Sequence, residues 1–168
     1  MKNRKAPAQA PARKDSKAAR VRSARELFDI GLPPAMGVKL VSISPDRIVA
    51  DLAVIPLVLN RTGRVGGGAL MAMADVMGAA GSVMARPLGT RGGTIESKTN
   101  FFAPATGPVV RGECVALHVG RTTSVWQTTF TNRGGKKRRD AGQGKGDGIV
   151  AIVIQTQIGL PRSTGTSD

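Results

Sequence analysis

Hydrophobic and polar positions recur with two different periods along this chain, and the change of period predicts its elements. Residues 23–30 (SARELFDI) open on a serine, carry Glu26 three residues on and place apolar Leu27, Phe28 and Ile30 behind it. That is the pattern of a short capped helix, which Gly31 and the Pro33-Pro34 pair then end. Residues 38–43 and 47–55 are strand-like, and Ser44-Pro45-Asp46 between them predicts a hairpin; in the second run Ile48, Ala50, Leu52 and Val54 alternate with Val49, Asp51 and Ala53. Residues 56–66 read as a loop containing Asn60 and Gly63, which runs into Gly66-Gly67-Gly68. Residues 69–86 (ALMAMADVMGAAGSVMAR) are helix formers and small residues closed by Pro87 and Gly89. Before Arg86 their only hydrophilic members are Asp75 and Ser82, so this helix is predicted to be buried on nearly every side.

The second half returns to strand patterning at 94–102, 109–119, 122–131 and 149–158, with turns at 104–108 and 120–121. Consecutive strands joined by turns predict an antiparallel sheet, and the long apolar helix is expected to cover its one buried face, an α+β architecture. The helix is about long enough to span a membrane, but its small residues, its central Asp75 and the amphipathic strands around it argue against that.

Charge alters the picture only once it is located. The chain of 168 residues has 25 Lys+Arg, 11 Asp+Glu and a net charge of +14. Residues 1–25 hold nine basic side chains and one acid, Asp15, and residues 132–148 hold six basic and two acidic ones, so the remaining body carries only +2. Both charged segments are poor in large apolar residues, a composition that stays solvated. The expected organisation is a disordered basic tail at 1–22, one folded domain at 23–160 with a basic Gly-rich hairpin loop at 132–148, and a flexible C-terminal tail at 161–168. Cys114 is the single cysteine and His118 the single histidine. They allow no intramolecular disulfide framework and no Cys- or His-cluster metal site, and a reducing, cytoplasmic setting is the expectation. Five aromatics in all (Phe28, Phe101, Phe102, Trp126, Phe130) leave no ladder for stacking bases.

Two features carry candidate chemistry. A carboxylate within an apolar helix is costly unless it is paired or used, so Asp75 calls either for a structural hydrogen-bond or interface partner or for a catalytic task. The Gly66-Gly67-Gly68 run opens the same helix, where unpaired backbone N–H groups face outward and a ligand can approach the main chain closely; a flexible loop is the plainer reading. No Lys-Ser/Thr pair follows these glycines and no G-x-G-x-x-G follows a strand, which excludes the usual nucleotide-phosphate cradles. Gly67 and Asp75 are eight residues apart, about 12 Å along a helix. One small reacting group cannot touch both in one chain. If they cooperate, the acid comes from a second subunit whose helix runs antiparallel across a two-fold axis.

Asn60, Gly66-Gly67-Gly68, Asp75, the run 94–105 (TIESKTNFFAPA) and His118-Val119-Gly120-Arg121-Thr122 stand in the order found in hotdog-fold thioesterases of the phenylacetyl-CoA (PaaI-like) branch, which residues 38–160 resemble. The resemblance implies a hotdog fold, an antiparallel sheet wrapped around a long central helix, with subunits joined edge to edge as dimers that commonly pair into tetramers. It implies an acyl-CoA substrate, no metal and no bound cofactor. The Gly67 amide would polarise the thioester carbonyl, and Asp75 of the partner subunit would activate water as general base or attack as nucleophile. Asn60 would help place the thioester or the water, and Thr94 would orient that water. Gly66, Gly68, Phe101, Pro104, Arg121 and Thr122 would contact substrate, with Arg121 the candidate for a CoA phosphate. Trp126 and Phe130 would be core or acyl-pocket lining, and Cys114 packing.

One departure stands out: the family's His-Gly-Gly motif has Gly66 at its histidine position. It motivates the alternative of a non-catalytic acyl-CoA-binding hotdog protein. A nucleic-acid-binding protein acting through the basic segments is a further alternative, which would betray itself by binding that weakens steeply with salt.

Overall fold

The computed structural model describes residues 16–134 and 148–160. The chain runs through helices α1 (Lys17–Asp29) and α2 (Leu32–Ala35), strands β1 (Val38–Ile43) and β2 (Arg47–Ala53), a 3-10 turn (Pro56–Val58) and the long helix α3 (Gly67–Ala85). Four strands follow: β3 (Arg91–Phe101), β4 (Val109–Val119), β5 (Thr123–Arg133) and β6 (Ile149–Leu160). They form one six-stranded sheet in the order β1-β2-β4-β5-β6-β3, antiparallel at every pairing. The chain therefore leaves the sheet after β2, passes through α3 and re-enters at the opposite edge, so that β3 pairs with β6 alone. This is the α+β arrangement that the patterning predicts, with α3 against one face.

The core follows from the two periodicities. Along α3, Leu70, Met73, Ala74, Met77, Ala80 and Met84 are buried, a spacing of three and four that lays one stripe on the sheet. The sheet answers with period two: Val110 and Cys114 of β4, Trp126 and Phe130 of β5, and Ala151 and Val153 of β6 point inward and are buried. Close approach is made by glycines. A Cβ at Gly81 would lie 2.7 Å from the Trp126 ring, and one at Gly112 would lie 2.9 Å from Met77 Sδ and from Phe130. Trp126 and Phe130 are thus core, as is Cys114, whose thiol burial pushes up to about 12 and keeps un-ionised.

Three expectations need correction. The first helix begins at Lys17, not at residue 23, because Ser16 rather than Ser23 is the cap: its Oγ accepts from the Ala19 N–H at 3.2 Å. Residues 17–22, expected in the tail, are helical, and four of the nine basic residues of the N-terminal segment lie on α1. The apolar stripe of this helix is built partly from alanines, Ala19 and Ala24 with Phe28, which conceal its period among other small residues. Secondly, α3 starts at Gly67 and β3 at Arg91, two and three residues ahead of the pattern. Thirdly, α3 is not buried all round. Its length and apolar composition match a membrane span, but half of it is buried, against the sheet and α1, and the rest is half-buried apart from Gly68, Met71 and Asp75, which are exposed within the chain. The cause is the topology: β3 is an edge strand, exposed along almost its whole length, and among the described residues no element covers the helix face beside it. The basic loop lies mostly at 135–147 and the tails at 1–15 and 161–168, all outside the described residues.

Candidate active site

The first turn of α3 is held by its own glycines. Gly66 is the N-cap, with extended backbone, and its N–H donates to the Val58 carbonyl at 2.8 Å. Gly67 and Gly68 follow at the first two helical positions, whose N–H groups have no intrahelical acceptor and face out of the helix end. Phe101, at the end of β3, lies across Gly67: a Cβ there would come within 2.8 Å of the ring. A Cβ at Gly68 would meet nothing within 4 Å, so the helix end is open on that side. Asn60 stands beside Gly66 and closes its own loop, Oδ1 accepting from the Thr62 N–H at 2.9 Å and the Thr62 hydroxyl at 2.7 Å. Any contact of Asn60 with a ligand therefore falls to its Nδ2 group.

Two turns along α3, Asp75 receives a hydrogen bond of 2.6 Å from the Thr94 hydroxyl of β3 to its Oδ1. The Thr94 hydroxyl in turn accepts from Gln157 Nε2 of β6 at 2.8 Å. Asp75 and Thr94 are exposed, whereas Gln157 is buried beneath the helix beside Gly78. The paired Asp75 thus differs from the buried acid that the apolar helix suggests: its partner is a hydroxyl of its own chain, and its open side faces outward. Asp75 also lies at the edge of an apolar cavity of about 280 Å³ between α1, α2, β1 and α3, lined among others by Leu27, Leu32, Met36, Met73 and Val76.

The other end of α3 carries a buried cation. Arg86, its C-cap, donates from Nη1 to the Thr122 carbonyl at 2.8 Å, and from Nη2 to the Gln157 carbonyl at 3.2 Å and the Ser124 hydroxyl at 3.3 Å. The guanidinium lies against Gly159, where any side chain would collide with it. Burial lowers the pKa of Arg86 from the ordinary arginine value. Carbonyls and the negative end of the helix dipole take the place of a carboxylate partner. The same contacts tie the turn bearing Arg121 and Thr122 to the C-terminal end of α3, away from Gly67.

The fold therefore gathers the expected residues into two groups. Asn60, Gly66, Gly67, Gly68 and Phe101 meet at the start of α3; Asp75 and Thr94 meet farther along it. A single chain does not bring Gly67 and Asp75 together, since both lie on one straight run of helix. Pro104 follows β3 half-buried, its carbonyl near Asn132 Nδ2 at 3.4 Å, and Arg121 and Thr122 are exposed beyond β4. Gln155, Gln157 and Arg86 escaped the sequence reading. A signal for the glutamines exists: alternation along 149–158 sets Gln155 and Gln157 on the same face as Ala151 and Val153, two amides on an apolar strand face.

The Thioesterase superfamily model matches residues 62–138, the segment that holds α3, Asp75 and Thr94. The 1,4-dihydroxy-2-naphthoyl-CoA hydrolase of Listeria monocytogenes is 24% identical over 103 residues, which are 61% of this chain and 84% of the relative. Among solved structures, a thioesterase family protein from Silicibacter pomeroyi superposes with a TM-score of 0.73 at 18% identity, covering 87% of this chain and 99% of its own. The E. coli PaaI protein from the phenylacetic acid degradation operon does so with a TM-score of 0.68 at 17% identity, covering 86% and 96%. Sheet order and central helix agree with these structures: the chain has the hotdog fold, and the segment that holds its central helix matches the Thioesterase superfamily.

Proposed function

We propose that this protein is an acyl-CoA thioesterase of the PaaI-like branch, hydrolysing an aromatic or medium-chain acyl-CoA to the free acid and CoA at a site shared between two subunits. The observation that carries the reading is the pairing of Asp75 with Thr94 on the uncovered face of α3, eight residues from the open helix N-terminus at Gly67. Antiparallel packing of two α3 helices across a two-fold axis brings Asp75 of one subunit to Gly67 of the other. The exposed edge of β3, with Ile95, Phe101 and Phe102 at its surface, supports that association, and pairing of such dimers gives the tetramer.

In this site the Gly67 N–H receives the carbonyl oxygen of the thioester as it gains negative charge. Asp75 takes a proton from an attacking water, whose oxygen adds to the carbonyl carbon, or attacks that carbon itself to give an anhydride that a water then hydrolyses to the free acid and the regenerated carboxylate. Collapse breaks the carbon–sulfur bond, and the CoA thiolate leaves and is protonated. Asn60 Nδ2 helps place the thioester. Thr94 acts by holding Asp75, since its hydroxyl is already engaged on both sides. The apolar cavity beside Asp75 suits an uncharged acyl group. Arg86, which ties the Thr122 carbonyl to α3, stands eleven residues past Asp75, about 17 Å along the helix. That is a reach suited to a pantetheine arm with Arg121 and Thr122 at its phosphate end. We place the reaction in the cytoplasm, with no metal or bound cofactor.

The test is release of free thiol from a panel of short, medium and aromatic acyl-CoAs. Asp75→Asn is expected to lower kcat by at least about a hundredfold, and unchanged turnover in that variant sinks the mechanism. Gly66, at the family's histidine position, favours one other reading, a non-catalytic acyl-CoA binder. Tight binding across the panel without hydrolysis would establish it.

A further inference from the structure

A threonine hydroxyl has one proton to give and lone pairs to accept with. Thr94 Oγ1 stands 2.6 Å from a carboxylate oxygen of Asp75, which as a carboxylate only accepts, and 2.8 Å from Gln157 Nε2, which only donates. Both contacts can be made in one way: Gln157 donates to Thr94, and Thr94 gives its proton to Asp75 Oδ1. Gln157 has little freedom to turn away. Its side chain is 1% exposed, its main-chain carbonyl is held by Arg86 Nη2, and its Nε2 sits under α3 where a Cβ on Gly78 would lie 3.2 Å from it.

We infer that Gln157 is a positioning residue for Asp75, acting through Thr94 without touching substrate. The buried amide sets the direction of the Thr94 hydroxyl. The hydroxyl pins Oδ1 of Asp75, so that Oδ2 is the oxygen turned to the water or the thioester. With Gln157 removed, the hydroxyl rotates among its staggered positions and the carboxylate loses its preset orientation, at a cost to the chemical step rather than to binding. The inference rests on Asp75 being the reacting carboxylate of the proposed function.

A double-mutant cycle of Gln157→Leu and Thr94→Val, read as kcat and KM for the best thioester of the panel, tests it. Each single variant is expected to lose about tenfold in kcat with KM nearly unchanged, and the double variant to be no slower than the slower single one, because both cut the same chain. Losses that multiply, a change confined to KM, or an unaltered kcat in Gln157→Leu overturn the inference. Absence of turnover in the wild-type protein refutes the hydrolase reading instead. A measurement free of turnover then decides: in 1H–15N spectra the Gln157 side-chain amide should shift on Thr94→Val and also on Asp75→Asn. A resonance indifferent to both substitutions overturns the chain, and this readout stands even if Gln157→Leu does not fold.

Discussion

Gly66 and Gly67 are neighbours in a run of three glycines, yet their surroundings set them opposite requirements. Gly66 has φ −68° and ψ 142°, ordinary extended backbone, and a Cβ there would reach only Val58 O at 3.6 Å and Asn60 Cβ at 4.0 Å. Gly67 sits under the Phe101 ring, with no room for a methyl group unless the ring moves. Gly66→His is therefore expected to leave Tm within about 2 °C of wild type, as for a substitution that makes only ordinary contacts, and to raise kcat by placing an imidazole next to the thioester end of the proposed site. Gly67→Ala is expected to displace Phe101 and lower kcat. Paired thermal melts and thiol-release assays separate the two, and equal effects of both substitutions would show that the pocket around Phe101 is not as described. The glycines and Asp75 are legible in sequence because each is an anomaly in its own neighbourhood. Gln157 is legible only as an amide on an apolar strand face, since its partner Thr94 lies sixty-three positions away.

The strands show the same division between local and distant information. Alternation is enough to place β1, β2, β4, β5 and β6 within a few residues of their ends, because each strand has one apolar face and short turns join most of them. Alternation does not reveal that β3 is an edge strand, which leaves it exposed on both faces and uncovers one side of α3. On the outer face, Arg47 of β2 and Glu113 of β4 pair at 2.7 Å, and Arg111 of β4 grips Asp51 of β2 with two bonds of 2.7 and 2.8 Å. The hydrogen bond from Arg47 holds the Glu113 carboxyl below its usual pKa. A depressed carboxyl stabilises the fold above its unfolded-state pKa and loses that contribution as pH falls through the lower, folded value. Denaturant titrations from neutral to acid pH should thus show a loss of stability that Glu113→Gln reduces, and that salt weakens because the pair is half exposed. A pH dependence unaltered by Glu113→Gln would remove the pair from the account.

For the molecule as a whole, the proposed shared site requires a second subunit, and complementation tests this directly. Asp75→Ala and Gly67→Val are each expected to disable one half of the proposed site. When the two inactive proteins are mixed through a denaturation and refolding cycle, half of the dimers formed are mixed, and one of the two sites in each is intact. Activity of about a quarter of wild type is expected, and no recovery in verified mixed dimers would overturn the pairing of Gly67 with Asp75 across subunits. The sequence by itself determined the order of elements, the apolar helix with its acid and its glycines, and the impossibility of one chain joining Gly67 to Asp75, because helix rise and strand period are local properties of the backbone. Only the tertiary structure decided that Asp75 is open on one side and held by Thr94 on the other, and that Gln157, its carbonyl held by Arg86, stands behind Thr94. Those facts depend on which strands become neighbours and which face is left uncovered, and strand order is settled by packing across the whole sheet rather than within any one segment.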